Sequence, residues 1–305
     1  MRVIRTITTT LALVLLSHPL AWSQDLQARP AIVYQEKSLY RNILVTEHNN
    51  LRCMQFGVQT GRLQVQQTCM DLDSPERLVF DYTKAILTSL YLTPNPQKIL
   101  IIGLGGGTLP ITLSSIDENI SIDSVELDPA VISVAKSHFG FTPNDKSKAF
   151  DGDARIFVRQ KIRENHSYDI VIIDAFERDY IPEHLLTREF LQQVKQILRP
   201  GGTLAANTYG ASRFSEHEAA TYQSVFGDGV YQLDLDSGNR LLFTTNGPFP
   251  ALDLIKERAH QLDPILNQFG SDYRLFLPRL IQQAKAAPDT RVLTDQYSPT
   301  NLLLY

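Results

Sequence analysis

Four positions that could do chemistry follow one another along the chain, each at the end of a predicted strand. Lys98 to Ile102 is a short β-branched run that breaks into Gly103, Gly105, Gly106 and Gly107 before a helical stretch. Glycines at such a break let the chain turn tightly and approach a ligand that a Cβ would exclude. Ile122 to Val125 is a second buried run, and it delivers Glu126 at its carboxyl end, 23 residues after Gly103. A carboxylate there accepts hydrogen bonds from the two hydroxyls of a ribose. Gly152 and Asp153 come next, and then DIVII, which ends in Asp174. A glycine turn alone is equally a structural connection, and an aspartate at a strand end is equally an N-cap or loop anchor. Four such sites in order point to a nucleoside crevice. Asp174 has the type and place to take a proton from an attacking amine.

The elements needed to hold these groups are those of a parallel sheet. From Pro94-Asn95-Pro96 to Asn207, strands and helices alternate, the pattern of a sheet covered on both faces. Arg199-Pro200-Gly201-Gly202 reads as a turn before a strand from Thr203 to Ala206, and Glu216 to Phe226 as a helix. Val230 to Leu235 and Arg240 to Thr245 form a hairpin across Ser237-Gly238. Upstream, Ala31 to Asp71 alternates apolar and polar residues, with turns at Asn49-Asn50 and Thr60-Gly61, which predicts a small antiparallel sheet of three or four strands. Ser74-Pro75-Glu76 predicts a helix running to about Leu90, with Ser74 as N-cap. Ala251 to Gln268 and Asp272 to Lys285 read as two terminal helices, and the chain from Leu293 as a tail. The resulting division is a leader over 1–23, a β-sheet domain over 24–73, a Rossmann-like nucleoside-binding domain over 74–248 and a helical extension over 249–305.

The order of these motifs resembles the spermidine synthase (polyamine aminopropyltransferase) family, a branch of the class I S-adenosylmethionine-dependent methyltransferase fold. The match extends from LYRNILV through DYTKAIL, NPQKILIIGLGGG, VELDPAV, DGDARIF and YDIVIIDAF to LLTREFLQQVKQILRPGGTLAANT. The resemblance implies a doubly wound α/β sheet with a small N-terminal antiparallel β domain. It implies no permanently bound cofactor, with decarboxylated S-adenosylmethionine (or S-adenosylmethionine) as co-substrate and a small amine as acceptor. By the same resemblance Gly103, Gly105 and Gly107 form the cofactor turn and Glu126 holds the ribose. Asp153 holds the adenine amino group, Asp174 is the catalytic base, and Tyr82 lies beside the amine. The sequence departs from the family's pattern in the amine half. Gly106 replaces the aspartate of the family's glycine loop, and Asp174-Ala175-Phe176-Glu177 replaces a loop with two aspartates, leaving Glu177 as the second amine-binding carboxylate. Phe176 and Tyr180 are either walls of the amine cavity or packing residues, and Glu177 and Asp179 either amine ligands or solvated loop charges. The run from Thr294 to Pro299 either folds back over the site or edges the terminal helices. A methyltransferase and a non-catalytic adenosyl-binding protein are the alternative functions. No second catalytic constellation follows the glycine turn, which argues against a nicotinamide-dependent dehydrogenase.

Composition bounds these readings. At 305 residues with 43% hydrophobic and 20% charged residues, the chain can bury a sizeable core. Its net charge of −4 gives no basic footprint for nucleic acid. No zinc-ligand spacing is present, and His184 reads as a surface residue. A homodimer is in keeping with the family. Arg2 and Arg5 precede the apolar run Thr10 to Leu16, and Ala21-Trp22-Ser23 supplies small residues for cleavage before Gln24. That is the form of a secretory signal peptide and predicts export to the periplasm, an uncleaved anchor being the alternative. Its removal takes the net charge from −4 to −6. Cys53 and Cys69, near a hairpin of an exported chain, favour a disulfide over two buried thiols.

Overall fold

The computed structural model describes residues 30–57, 66–176 and 181–297. The leader, the Thr60-Gly61 turn, Glu177, Asp179, Tyr180 and the end of the tail lie outside the described residues.

Four strands, β1 (Ala31–Lys37), β2 (Asn42–His48), β3 (Leu51–Phe56) and β4 (Gln66–Asp71), form an antiparallel sheet in sequential order. Cys53 and Cys69 face each other across β3 and β4 and are joined by a disulfide. Helices α1 (Asp81–Ile86) and α2 (Ser89–Leu92) lead into β5 (Lys98–Ile102). The predicted helix from Ser74 is therefore shorter and starts later. Ser74 accepts a turn bond from Arg77, and the helix begins only after Phe80. From there the chain runs through α3 (Thr108–Ile116), β6 (Ser121–Glu126), α4 (Pro129–His138), β7 (Ser147–Asp151), α5 (Ala154–Arg163), β8 (Tyr168–Ile173), α6 (Arg188–Ile197) and β9 (Leu198–Tyr209). It continues through α7 (Ser215–Phe226), β10 (Tyr231–Asp234), β11 (Asn239–Thr245), α8 (Leu252–Leu266), α9 (Tyr273–Phe276) and β12 (Ile281–Gln282).

The second sheet has the order β12-β10-β11-β9-β8-β5-β6-β7. Strands β7, β6, β5, β8 and β9 are parallel, and β11, β10 and β12 complete an antiparallel edge. Because the central strands are covered on both faces, successive residues enter different cores. Ile99, Ile101, Ile170 and Ile172 pack on one side, and Leu100, Ile102, Val171 and Ile173 on the other. Asp169 aligns the start of β8 with that of β5, accepting bonds of 2.8 Å from the amides of both Gln97 and Lys98. The small sheet rests on α4, where Ile43, Val45 and Met54 meet Val131, Val134 and Phe139.

Two further expectations change. The Pro200-Gly201-Gly202 turn is a bulge inside β9, so Tyr168 pairs with Leu198 and Ile170 already with Thr203. The second terminal helix is reduced to α9. Pro278 follows it within a single 3-10 turn, and the chain then adds the edge strand β12. Leu293 is fully buried rather than part of a free tail, and its carbonyl accepts from Arg188. Asp295 receives a two-pronged bond from Arg155, fastening this segment to α5 and α6 instead of the terminal helices.

Candidate active site

Strand order reverses between β5, which continues to β6 and β7, and β8, which lies on its other side. A crevice opens outside the carboxyl ends of strands at such a switch point. A cavity of about 840 Å³ occupies this place, and Gly103, Gly105, Glu126, Asp153, Asp174 and Tyr82 all line it.

The glycine turn leaves β5 with Gly103 at φ 96° and Gly105 at φ 55°, conformations that favour glycine. A Cβ on Gly103 would lie 2.3 Å from the carbonyl oxygen of Asp174, so the turn and the loop after β8 pass in direct contact. Gly107 does not reach the cavity, since it backs onto Phe141, whose side chain would be 2.8 Å from a Cβ there. Gly106 does not line the cavity either. Its Cβ would meet Thr68 at 2.7 Å and Phe139 at 2.9 Å, so the position has no space for an aspartate.

Glu126 ends β6 with its carboxylate fixed by main chain. One oxygen accepts from the Leu104 amide at 3.0 Å and the other from the Asp128 amide at 3.1 Å. Asp153 follows β7 as the N-cap of α5, accepting from the Ile156 amide at 2.9 Å. Its second oxygen is 2.7 Å from Nε2 of His184, which brings a residue read from sequence as surface decoration onto the cavity wall.

Asp174 is set differently. Its amide donates to the Ile102 carbonyl, which extends the β5–β8 ladder by one residue, while its side chain is half-buried at the cavity wall. Oδ1 accepts from Asn207 Nδ2 at 2.9 Å and Oδ2 from the Tyr82 hydroxyl at 3.3 Å. Burial pushes the carboxyl pKa up to about 6; the Asn207 and Tyr82 bonds oppose the rise and the negative charge of Glu126 adds to it. Burial also holds the Tyr82 phenol well above its usual value, reinforced by the Asp174 charge, so the phenol remains a donor. Behind Asn207, Asn239 donates to its side-chain oxygen at 2.9 Å, and Ser237 donates to Asn239 at 2.8 Å. Asn207 and Asn239 were not singled out from sequence. The available signal was that Asn207 closes the apolar run LAAN as Asp174 closes DIVII. Phe176 lines the cavity, as does Thr83.

A crevice at a topological switch point, a glycine turn, a carboxylate on the next strand end and a half-buried carboxylate opposite define a class I methyltransferase-like enzyme fold. Residues 80–232 match the spermine/spermidine synthase domain. The chain is 38% identical to a polyamine aminopropyltransferase of Vibrio vulnificus, over 89% of this chain and 91% of that protein. Its structure is similar to that of a probable spermidine synthase from Corynebacterium glutamicum, with a TM-score of 0.65 at 19% identity over 87% of this chain and 96% of the other. It is also similar to human methyltransferase-like protein 13, solved with SAH, with a TM-score of 0.58 at 25% identity over 72% of this chain and all of that one. The chain belongs to the spermine/spermidine synthase family.

Proposed function

We infer that the cavity transfers an aminopropyl group from decarboxylated S-adenosylmethionine to an amine, a reaction of polyamine biosynthesis. The observation that carries this reading is Asp174: a half-buried carboxylate, held among the described residues by two neutral donors, at the strand end facing the glycine turn. An amine must lose a proton to attack the carbon next to the sulfonium. A carboxylate with a pKa near 6 is ionised at neutral pH yet basic enough to accept that proton as the bond forms. The sulfonium leaves as a neutral thioether and needs no acid. Glu126 holds the ribose hydroxyls with the lone pairs its two amide bonds leave free. Asp153 meets the adenine amino group, with His184 bonded behind it. Gly103 and Gly105 give the donor close access to main chain, and Tyr82 and Asn207 orient the base. Glu177, three residues after Asp174, is the remaining candidate for binding the acceptor's second ammonium.

The test is product detection with decarboxylated S-adenosylmethionine and a panel of amines, with S-adenosylmethionine in parallel. An aminopropylated amine is the expected product. A methylated product would establish methyl transfer instead, the reading favoured by the likeness to methyltransferase-like protein 13. The loss of family carboxylates makes putrescine a poor acceptor.

Export to the periplasm is part of the same proposal, supported by the Arg2/Arg5 leader and by the Cys53–Cys69 disulfide, a bond that persists in oxidising compartments. Mass determination of the mature N-terminus tests it, with Gln24 expected first. A homodimer would cover the open edge of β1, where Ile32 and Val33 are exposed. Light scattering of the purified protein reads its mass directly.

A further inference from the structure

Arg41 is the only lysine or arginine among the described residues that line the cavity. It enters from the small sheet, with its guanidinium 4.4 Å above the Phe56 ring, and its side chain is only 15% exposed. Its single ionic neighbour among the described residues is Asp128, at 3.7 Å from Nε, longer than a hydrogen bond. Asp128 is already engaged by the Ser38 hydroxyl at 2.5 Å and the Ala130 amide at 3.0 Å. Among the described residues, the guanidinium donors of Arg41 therefore make no hydrogen bond.

A cation lining the cavity favours an anionic group on the ligand, which an amino-acid end supplies and the ammonium end of the decarboxylated donor does not. The glycine turn supplies nothing to offset it, because Gly106 has no room for an acidic side chain and faces Thr68 and Phe139. The turn also leads into the N-terminus of α3, a nine-residue helix whose dipole favours negative charge. An α-carboxylate matches both features: guanidinium and carboxylate pair through two parallel bonds, and the helix end adds attraction.

We propose that Arg41 forms a carboxylate subsite, so that the cavity prefers adenosyl thioethers carrying an amino-acid end over those without one. This rests on the reading that the cavity holds an adenosyl thioether. The carboxylated ligand and the decarboxylated donor compete for this half, while Asp174 and the acceptor half are unaffected.

Calorimetry with S-adenosylhomocysteine and 5′-methylthioadenosine tests it, since both have the thioether and nucleoside and only the first has the carboxylate. Wild-type protein is expected to bind S-adenosylhomocysteine about tenfold or more tighter. Arg41→Gln should abolish that preference and leave 5′-methylthioadenosine affinity within about twofold, a result that also shows the variant is folded. Arg41→Lys, which keeps the charge but not the fork, should fall between. Equal wild-type affinities for the two ligands would overturn the subsite, and so would equal weakening of both by Arg41→Gln, which would make Arg41 a counter-ion of Asp128 alone. Failure of wild-type protein to bind 5′-methylthioadenosine as well as S-adenosylhomocysteine would overturn the adenosyl reading itself, and the subsite with it.

Discussion

The half of the cavity proposed to hold the nucleoside is fixed by main chain, whereas the half proposed to hold the amine is fixed by side chains. Glu126 is fixed by the amides of Leu104 and Asp128, and the glycine turn by its own backbone conformations. Asp174 instead takes its bonds from Tyr82 on α1 and Asn207 on β9, with Asn239 on β11 supporting the latter. Main-chain donors survive almost any substitution, so the first half persists wherever the fold does. The second half changes with single replacements in elements far apart in the chain. In the proposed function, nucleoside anchoring is thus largely a property of the fold, whereas acceptor recognition, like the Arg41 subsite, is a property of a few exchangeable side chains.

The contrast is tested most severely at the base. Asp174→Asn should lower turnover by about 10²–10⁴-fold, the range of a positioned general base, with 5′-methylthioadenosine affinity unchanged by calorimetry. A parallel loss of nucleoside affinity would mean that the halves are not separable. Glu126→Ala should weaken 5′-methylthioadenosine binding by about 1–3 kcal/mol, the loss of charge-assisted bonds to the ribose. Unchanged affinity would leave the turn alone as the nucleoside anchor.

Gly106→Asp tests the boundary between the halves. Reinstating the family's aspartate is attractive from sequence, but the contacts with Thr68 and Phe139 turn it into overpacking. Its expected outcome is a stability loss of about 1–3 kcal/mol in urea unfolding and no gain in spermidine formation. More product from an equally stable variant would show that the turn can reorganise.

The smallest effect concerns pH. Below its pKa of about 6, Asp174 carries a proton and cannot accept another, so kcat/KM should fall as pH drops through that value. Asn207 donates to the charged form and holds the pKa down; Asn207→Ala should move this acid limb to higher pH. The rate at pH 6 should fall by roughly two- to fivefold while the rate at pH 8 is nearly kept. A limb that stays in place would assign the titration to another group.

The same division explains what could be read from the chain. The glycine turn, Glu126, Asp153 and Asp174 could be brought together from the sequence because each lies at or just past a strand end, and strand ends in a parallel sheet converge. The hairpin β10–β11 was legible from Ser237-Gly238. Asn207 and Asn239 were not, since each becomes meaningful only when the strand register brings it to a partner more than thirty residues away, Asn207 to the Asp174 carboxylate and Asn239 to Asn207. His184 gave no periodic signal, as its role depends on the short turn over Glu183–Leu185 lying beside Asp153. Two helices were misjudged for local reasons. Ser74 and Pro75 have capping chemistry but serve a turn, and the second terminal segment contains Pro278, which stops a helix that apolar spacing alone would extend.

The carbonyl of Asp174 lies so close above Gly103 that no side chain fits between them. Seen as a matter of heredity, this makes the two loops a linked pair. A lineage that acquires any other residue at Gly103 must also reshape the loop carrying Asp174, and recombination that takes one loop from a relative without the other brings together surfaces never selected to touch. New acceptors in this family are therefore expected to arise through the residues after Phe176 and around Tyr82, with the Gly103–Asp174 junction inherited intact.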